Sequence, residues 1–327
     1  MKRRKFLQQS LTSGIGITTL GAYAMKHNHL STPAKQGASQ AAFFKLSLAQ
    51  WSLHRTIQNK KISPYDFAEQ ANNLGFSGIE YVNQLYTDVM AAKNKPAALK
   101  QFIKNSNAKA KQFDVENVLI MIDNEGDLAV AKKKERRKAI DNHKIWVEAA
   151  AEMNCSAIRI NLFGETDPSS WKDYAAESMM RLGEYAAAYD INVLVENHGY
   201  LSSNAALVME MLNQVNRTNC GTLPDFGNFC LERENGERWD TKCIREYNRY
   251  QGVQEMMPRA FAVSAKSHDF DAEGNEINTD YLRMLKLVKA AGYTGFIGVE
   301  YEGQQLSERE GILATKKLLL KQAKHLV

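Results

Sequence analysis

The sequence lacks the simplest signals of several protein classes. No stretch after the first residues reaches the ~18 uninterrupted apolar residues of a membrane-spanning helix. The four cysteines, Cys155, Cys220, Cys230 and Cys243, lack the paired close spacing of a zinc knuckle. We therefore predict a mature protein without a membrane span and without a cysteine-ligated zinc.

The chain also lacks an excess of charge. Its formal net charge is +5, but Lys2, Arg3, Arg4 and Lys5 supply four of those charges, so the chain beyond residue 24 carries +1. This small net charge does not indicate a basic surface for binding nucleic acid. With 44% hydrophobic and 24% charged residues, the composition is that of a globular protein with a substantial core.

The basic residues instead belong to a leader. A basic start, residues 2–7, precedes a mildly apolar stretch from Leu11 to Ala22 and a small-x-small site ending at Ala24. The order Arg3-Arg4-x-Phe6-Leu7 resembles a twin-arginine signal. We predict a signal peptide over residues 1–24, a flexible linker over 25–42 and a periplasmic location; a disordered basic tail is the alternative.

From Phe43 onward one unit repeats eight times, an apolar run followed by an amphipathic segment. Alternating parallel strands and helices produce this pattern. The predicted strands are Phe44 to Leu53, Gly78 to Val82, Val115 to Ile122, Ala157 to Phe163, Asn192 to Asn197, Gly221 to Asp225, Ala260 to Lys266 and Gly295 to Tyr301. Eight such units predict an α/β protein with one (β/α)8 TIM barrel domain over residues 43–327.

Helix signals support the same repeat. The predicted helices are Tyr65 to Leu74, Pro96 to Lys111, Glu135 to Met153, Asp167 to Tyr189, Asn204 to Val215, Asn278 to Ala291 and Ser307 to His325. An open doubly wound sheet is the rival architecture, but it usually has a Gly-rich phosphate loop after the first strand. Residues 50–55 (QWSLHR) stand at that place, which favours the barrel.

In such a barrel, functional side chains lie at the carboxyl ends of the strands. This rule selects Gln50, His54, Glu80, Asn83, Arg159, Asn161, Glu196, His198, Asp225, Asn228, Ser264, Lys266, His268, Glu300 and Glu302. Burying a carboxylate is energetically unfavourable unless a cation pairs with it. Glu196, Asp225 and Glu300 end three different predicted strands. They predict one divalent metal ion; structural ion pairs with Arg159 or Lys266 are the alternative.

These residues carry a family resemblance. The segments Val195-Glu196-Asn197-His198-Gly199, Pro224-Asp225-Phe226-Gly227-Asn228-Phe229, Val263-Ser264-Ala265-Lys266-Ser267 and Gly298-Val299-Glu300-Tyr301-Glu302-Gly303 resemble the xylose isomerase-like barrels, which include sugar phosphate isomerases and epimerases and endonuclease IV. The resemblance implies Mn²⁺, Mg²⁺ or Zn²⁺ held by Glu196, Asp225, Glu300 and a histidine of the seventh strand. It also implies that Glu196 and Glu300 exchange protons with a sugar carbon.

The seventh strand departs from this pattern. The family usually has His two residues before Lys266, where this chain has Ser264. His268 comes four residues later, a span of roughly 13 Å in extended chain, and His198 shares a face with Glu196. Three fourth ligands stay open: His268, His198, or water completing an oxygen-only site for Mg²⁺ or Mn²⁺.

The remaining candidate residues are predicted either to contact the substrate or to stabilise the structure. Lys266 supports a developing oxyanion, or only pairs with a metal-binding carboxylate. The predicted substrate contacts are His54, Trp51, Glu80, Arg159, Asn161, His198 and Asn228. In an oxidising periplasm Cys230 and Cys243 could bridge and brace the loop after the sixth strand, whereas Cys155 and Cys220 begin strands at the opposite end.

Three function classes follow. The first is a metal-dependent isomerase or epimerase that forms an enediolate from an unphosphorylated keto sugar, since export separates the enzyme from cytoplasmic sugar phosphates and no phosphate cradle is present. The second is a 3-keto-glycoside lyase or hydratase that begins with the same proton abstraction. The third is a non-catalytic sugar-binding barrel. An endonuclease would need more histidines than the seven present, and a homo-oligomer is possible.

Overall fold

A computed structural model describes residues 42–236, 238–239 and 241–326. The predicted signal peptide, and the predicted linker up to residue 41, lie outside the described residues. The described part belongs to one unit that extends from Gln40 to Val327. No described helix is both long and apolar enough to cross a membrane.

Among the described residues, eight of the ten strands form a parallel barrel, and two form a hairpin. The strands are β1 (Lys45–Ala49), β2 (Gly78–Val82), β3 (Glu116–Met121), β4 (Ala157–Ile160), β5 (Asn192–Glu196), β6 (Cys220–Leu223), β7 (Cys230–Arg233), β8 (Cys243–Glu246), β9 (Val263–Ser267) and β10 (Phe296–Tyr301). The barrel order is β6-β5-β4-β3-β2-β1-β10-β9, and β7 pairs with β8. The predicted (β/α)8 TIM barrel is confirmed.

The two ends of this sheet meet just beyond β6. The backbone N–H of Phe226 donates to the carbonyl of Ser264 at 3.0 Å, and the N–H of Ser264 donates to the carbonyl of Pro224 at 3.0 Å. These bonds join the residues that follow β6 to β9 and close the cylinder. Closure brings Asp225 beside Ser264, although 39 residues separate them in the chain.

Ten α-helices accompany the strands in the part of the chain that the structure describes. They are α1 (His54–Gln58), α2 (Phe67–Asn73), α3 (Thr87–Met90), α4 (Lys95–Gln112), α5 (Lys133–Glu152), α6 (Pro168–Ala187), α7 (Ala205–Val215), α8 (Arg249–Met256), α9 (Tyr281–Ala290) and α10 (Glu308–Ala323). Asp167 caps α6 by accepting the Ser170 N–H at 2.9 Å, and Ser307 with Glu310 forms a capping box on α10. These caps confirm the predicted starts of both helices.

Several strands end earlier than predicted. The run from Phe44 to Leu53 leaves the sheet after Ala49, because residues 50–53 form a 3₁₀ helix. Gln50 is the cause: its side chain accepts the Val82 N–H at 3.0 Å and donates to the Pro64 carbonyl at 3.0 Å, in place of ladder bonds. Gln50 and His54, predicted to end the first strand, therefore lie beyond its end, in the 3₁₀ helix and at the start of α1.

The segment between β6 and β9 contains one element that the sequence repeat does not predict, the hairpin β7–β8. Helix α8 of the same segment packs between α7 and α9 and is the helix of the sixth repeating unit, for which no bounds were predicted. A disulfide between Cys230 and Cys243 joins the two hairpin strands, with 5.7 Å between the Cα atoms, as predicted. Cys155 and Cys220 are buried and free.

Candidate metal and sugar site

Three carboxylates from separate strands meet at the carboxyl end of the barrel. Glu196 is the last residue of β5, Asp225 follows β6, and Glu300 lies in β10. One carboxylate oxygen of each lies within 4.8 Å of the others, and none of the three residues is more than 4% exposed. The structure thus brings together the residues expected to share a cation.

Asp225 is fixed by its own loop. Its Oδ1 accepts the backbone N–H groups of Gly227 and Asn228, each at 2.8 Å. The Asn197 side chain accepts the Asp225 N–H at 2.7 Å and donates to the Asp225 carbonyl at 3.0 Å. Since Oδ1 is engaged by the turn, Oδ2 is the oxygen that faces the other carboxylates.

Arg159, which is 3% exposed, compensates part of the negative charge. Its Nη1 donates to Asp123 at 2.8 Å, and its Nε lies 2.8 Å from Glu196 Oε2 in an ion pair without hydrogen-bond geometry. Burial alone would lower the pKa of Arg159, but these two carboxylates raise it above its ordinary value. Arg159 is therefore a permanent cation at the base of the site, beside Glu196.

Lys266 is the second buried cation. Its Nζ lies 3.5 Å from Glu300 Oε1 and donates to Glu302 at 3.0 Å. Burial would lower the pKa of Lys266, but Glu300, Glu302, Asp225 and Glu196 together hold it well above its usual range. Burial would likewise raise the pKa of Glu302, yet the Lys266 ammonium lowers it to about 2. The Lys266–Glu302 pair is thus ionised.

The buried carboxylates around the site outnumber the buried cations. Arg159 and Lys266 face five carboxylates, those of Asp123, Glu196, Asp225, Glu300 and Glu302. Burial raises the pKa of Glu196 and Glu300, against the opposing effects of Arg159 and Lys266 respectively. A divalent ion between the three clustered carboxylates would relieve this repulsion, so the residues present fit one.

The Ser264 hydroxyl lies beside the carboxylate cluster. Ser264 donates from Oγ to Asp225 Oδ2 at 2.5 Å and lies 3.1 Å from Glu300 Oε2. Among the described residues neither His198 nor His268 joins the carboxylate cluster. His268 lies beyond the end of β9, where its backbone N–H donates to Glu276 at 3.3 Å, so it does not reach back to the place of Ser264.

His198 is held as a neutral acceptor. Burial, Arg159 and Lys266 lower its pKa to about 3. Its Nδ1 lies 2.7 Å from Asn161 Oδ1, and Asn161 donates from Nδ2 to Asp123 at 2.6 Å. Because the Asn161 oxygen must accept, the proton belongs on Nδ1, which leaves Nε2 of His198 as an acceptor.

Asn228 completes the surroundings of Glu196. It donates from Nδ2 to Glu196 Oε1 at 3.0 Å, while Arg159 faces Oε2. Both oxygens of this carboxylate are therefore oriented before any ligand binds. The predicted substrate contacts Arg159, Asn161, His198 and Asn228 all lie around Glu196.

Trp51 and His54 form a pair on the other side of the mouth, after β1. Their rings stack with centroids 4.5 Å apart and planes 9° apart. His54 Nδ1 lies 2.6 Å from the Trp51 carbonyl and 3.8 Å from Glu308, a buried carboxylate that also accepts the N–H groups of Arg55 and Thr56. The pair is fixed to the first turn of α1 and borders the mouth.

Glu80 lies inside the barrel rather than at its mouth. It accepts from Ser47 at 2.5 Å, and a Cβ on Gly298 would lie 2.6 Å from its carboxylate oxygens. Burial raises its pKa to about 7, opposed by the Ser47 hydrogen bond. Because Gly298 precedes Glu300 by two residues on β10, Glu80 lies one layer below the carboxylate cluster, away from the predicted substrate position.

Sequence reasoning missed two residues at this site. Asp123, the partner of Arg159 and Asn161, directly follows the apolar run predicted as the third strand, so the strand-end rule could have found it. Trp239 lies on the β7–β8 hairpin with its ring centroid 5.0 Å from that of His198. Only the two flanking cysteines marked this segment in the sequence.

Comparisons with known proteins identify the fold family. The model of the xylose isomerase-like TIM barrel family matches residues 68–323. No curated protein matches the chain significantly. Among solved structures, a D-tagatose 3-epimerase-like protein is similar with a TM-score of 0.61 and 17% identity, covering 85% of this chain and 97% of that one.

Two further structures are similar at the level of the fold. The IOLI protein with a bound zinc atom gives a TM-score of 0.62 at 14% identity, covering 87% of this chain and 99% of that one. The 3-keto-D-glucoside 4-epimerase YcjR of E. coli gives a TM-score of 0.60 at 12% identity, and the match covers 85% of this chain and 99% of that one.

Proposed function

The chain belongs to the xylose isomerase-like TIM barrel family, and from this membership and its carboxylate cluster we propose that it is a divalent-metal-dependent isomerase or epimerase of an unphosphorylated keto sugar. The main observation in support of this proposal is the carboxylate cluster: Glu196, Asp225 and Glu300 offer three buried oxygens within 4.8 Å of one another. The sugar epimerases among similar folds support the same reaction class.

Glu196, Asp225 and Glu300 would hold the ion, with the Ser264 hydroxyl beside two of them. A bound divalent ion polarises a substrate carbonyl and stabilises the enediolate formed when the neighbouring proton leaves. An all-oxygen donor set suits Mg²⁺ or Mn²⁺ better than Zn²⁺.

Glu196 and Glu300 transfer protons to and from the sugar carbon. They stand on β5 and β10, on different sides of the barrel axis, and burial raises the pKa of both above the ordinary value of a glutamate. A carboxylate placed beside the substrate carbon is a suitable acid or base. One removes the proton from the sugar carbon and the other returns one. Arg159 and Asn228 hold Glu196 in place for this transfer.

Two further residues handle the substrate. Lys266 presents a buried ammonium where negative charge develops on a sugar oxygen, which lowers the barrier electrostatically. His198 offers Nε2 as an acceptor for a sugar hydroxyl. Export by the leader of residues 1–24 accords with an unphosphorylated substrate.

Elimination from a 3-keto-glycoside is the second candidate. It shares the first proton abstraction and differs in expelling the glycosidic oxygen, for which Lys266 is a suitable donor. Trp239 beside His198 is the observation in favour, because its exposed indole offers an apolar face to an aglycone.

Hydrogen exchange tests both candidates. The mature protein with Mn²⁺ is incubated in deuterated water with ketoses and 3-keto-glycosides, and substrate deuterium is followed by NMR. We expect exchange at one carbon, lost in Glu300→Gln and retained in the exposed control Glu210→Gln. Binding without any exchange would leave a sugar-binding barrel, and release of free aglycone would favour the lyase.

A further inference from the structure

Three rings from separate segments form a cluster beside Glu196 that the proton chemistry does not use. Phe163 follows β4, His198 follows β5, and Trp239 lies between β7 and β8. Their centroids are 5.0 Å (His198–Trp239), 5.6 Å (Phe163–Trp239) and 5.9 Å (Phe163–His198) apart. Trp239 is 44% exposed, so much of its indole is open to solvent.

The hairpin that carries Trp239 is tied at its base and near its tip. The Cys230–Cys243 disulfide joins its strands, and Arg233 donates to the Thr241 carbonyl at 2.6 Å. Arg238, the neighbour of Trp239, is held by contacts with Asp127 and Phe163.

Arg238 links the hairpin to the barrel next to Trp239. It pairs with Asp127 through both terminal nitrogens, at 3.0 and 3.3 Å, and its guanidinium lies 4.4 Å from the Phe163 ring centroid. These tethers fix the tip without using the open part of the indole. An aromatic surface that is already ordered binds a ligand at a low entropic cost.

The position of His198 relates this surface to the reacting sugar. His198 follows Glu196 by two residues, and its Nδ1 lies 2.7 Å from Asn161. The Asn161 amide donates to the same Asp123 that pairs with Arg159 beside Glu196. The ring of His198 also contacts Trp239. A ligand whose hydroxyl meets His198 would therefore extend toward Trp239 with whatever is attached to it. Indole offers a wide apolar face to a sugar or aromatic ring.

We propose that Phe163, His198 and Trp239 form a binding subsite for a second ring joined to the reacting sugar, so that the substrate is a glycoside and not a free monosaccharide. The identification of the first ring as the reacting one rests on the function proposed above. The second ring lies against the exposed part of Trp239, and His198 separates it from Glu196.

Equilibrium binding tests the subsite without any reaction. Phenyl and methyl β-D-glucopyranoside are the probes, since they share one sugar and differ in the second ring, and neither carries a carbonyl. We expect the phenyl glucoside to bind the wild-type protein about tenfold more tightly, a difference of about 1.4 kcal/mol. Trp239→Ala should abolish most of this preference, and Trp239→Phe should retain part of it.

A matched control is available at the opposite end of the barrel. Phe261 is also an aromatic residue with 44% exposure, and it lies just before β9, so Phe261→Ala should keep the full preference. Reduction of the Cys230–Cys243 bridge, or the double substitution to serine, should lower the preference in the same direction as Trp239→Ala.

Equal affinity of the wild-type protein for the two glucosides would overturn the subsite, as would a Trp239→Ala variant that weakens both probes alike. Urea unfolding of Trp239→Ala distinguishes a structural role, which would lower the free energy of unfolding. Failure of hydrogen exchange together with the expected phenyl preference would reject the proposed reaction and leave the subsite standing.

Discussion

Ser264 donates its hydroxyl proton to Asp225 at 2.5 Å and lies 3.1 Å from Glu300, at the strand position where the resemblance implies a histidine ligand. A hydroxyl is a small, hard donor, whereas imidazole favours Zn²⁺. This one position therefore bears on the choice of metal. It changes the donor set without moving any of the three carboxylates.

Replacing Ser264 with histidine should shift the metal preference toward Zn²⁺. We expect the ratio of Zn²⁺ to Mg²⁺ affinity to rise at least about tenfold in Ser264→His, because imidazole adds a nitrogen donor. Competition dialysis with elemental analysis measures this ratio. Ser264→Ala is the control and should leave the ratio nearly unchanged; an equal change in both variants would show that the hydroxyl itself sets the preference.

Metal should stabilise the fold through the carboxylate cluster. A ligand at 100 times its Kd contributes about 2.7 kcal/mol, which corresponds to a rise in Tm of roughly 5 °C for a domain of this size. Calorimetry of the metal-depleted protein with added Mn²⁺ measures the rise. Asp225→Asn should abolish it, and Glu210→Gln, an exposed change on α7, should preserve it. An unchanged rise in Asp225→Asn would argue against the cluster as the metal site.

Lys266 should affect turnover more than substrate binding. Its ammonium lies 3.5 Å from Glu300 and 3.0 Å from Glu302, so it acts where charge develops. We expect Lys266→Met to lower kcat about 10²- to 10³-fold with a small change in KM. Steady-state kinetics on the substrate identified by exchange provide the measurement, with circular dichroism as a check of folding. A loss confined to KM would assign Lys266 to ground-state binding.

The sequence was sufficient for the barrel and for the carboxylate cluster because both follow from local patterns. An apolar run marks each strand, and every parallel strand of a closed barrel delivers its last residues to the same end. Glu196, Asp225 and Glu300 could therefore be assigned to one place although more than 100 residues separate the first from the last.

The other features of the site depend on contacts between distant segments, which leave no periodic pattern in the sequence. The hairpin β7–β8 lies outside the repeating unit, so the position of Trp239 could not be inferred. The bridging role of Ser264 requires the distance between Asp225 and Glu300, which only the closed barrel fixes. Likewise, the orientation of His198 follows from the Asn161 amide and not from its own neighbours in sequence.

A buried pair away from the site tests the packing of the barrel wall. Glu125 accepts the Trp146 indole N–H at 2.7 Å and pairs with Lys95 at 2.7 Å. Removing this carboxylate leaves a buried indole donor unsatisfied, so Glu125→Ala should lower the free energy of unfolding by about 2–4 kcal/mol. Urea denaturation measures it. The exposed Glu135→Ala, whose pair with Lys132 is open to solvent, should change stability by less than about 0.5 kcal/mol.

His143 on α5 should make the fold sensitive to acid. Burial is the main cause that lowers its pKa, so the folded protein holds it neutral, while the unfolded chain binds a proton near pH 6.5. Its contribution to stability is full above about pH 6.5 and is lost as the pH falls toward its folded pKa, at up to about 1.4 kcal/mol per pH unit. Urea unfolding at pH 7.5 and 5.5 should therefore show a smaller loss in His143→Gln than in the wild-type protein. His325→Gln, near the carboxyl terminus, serves as the control and should retain the wild-type loss; an equal loss in all three proteins would place the acid sensitivity elsewhere.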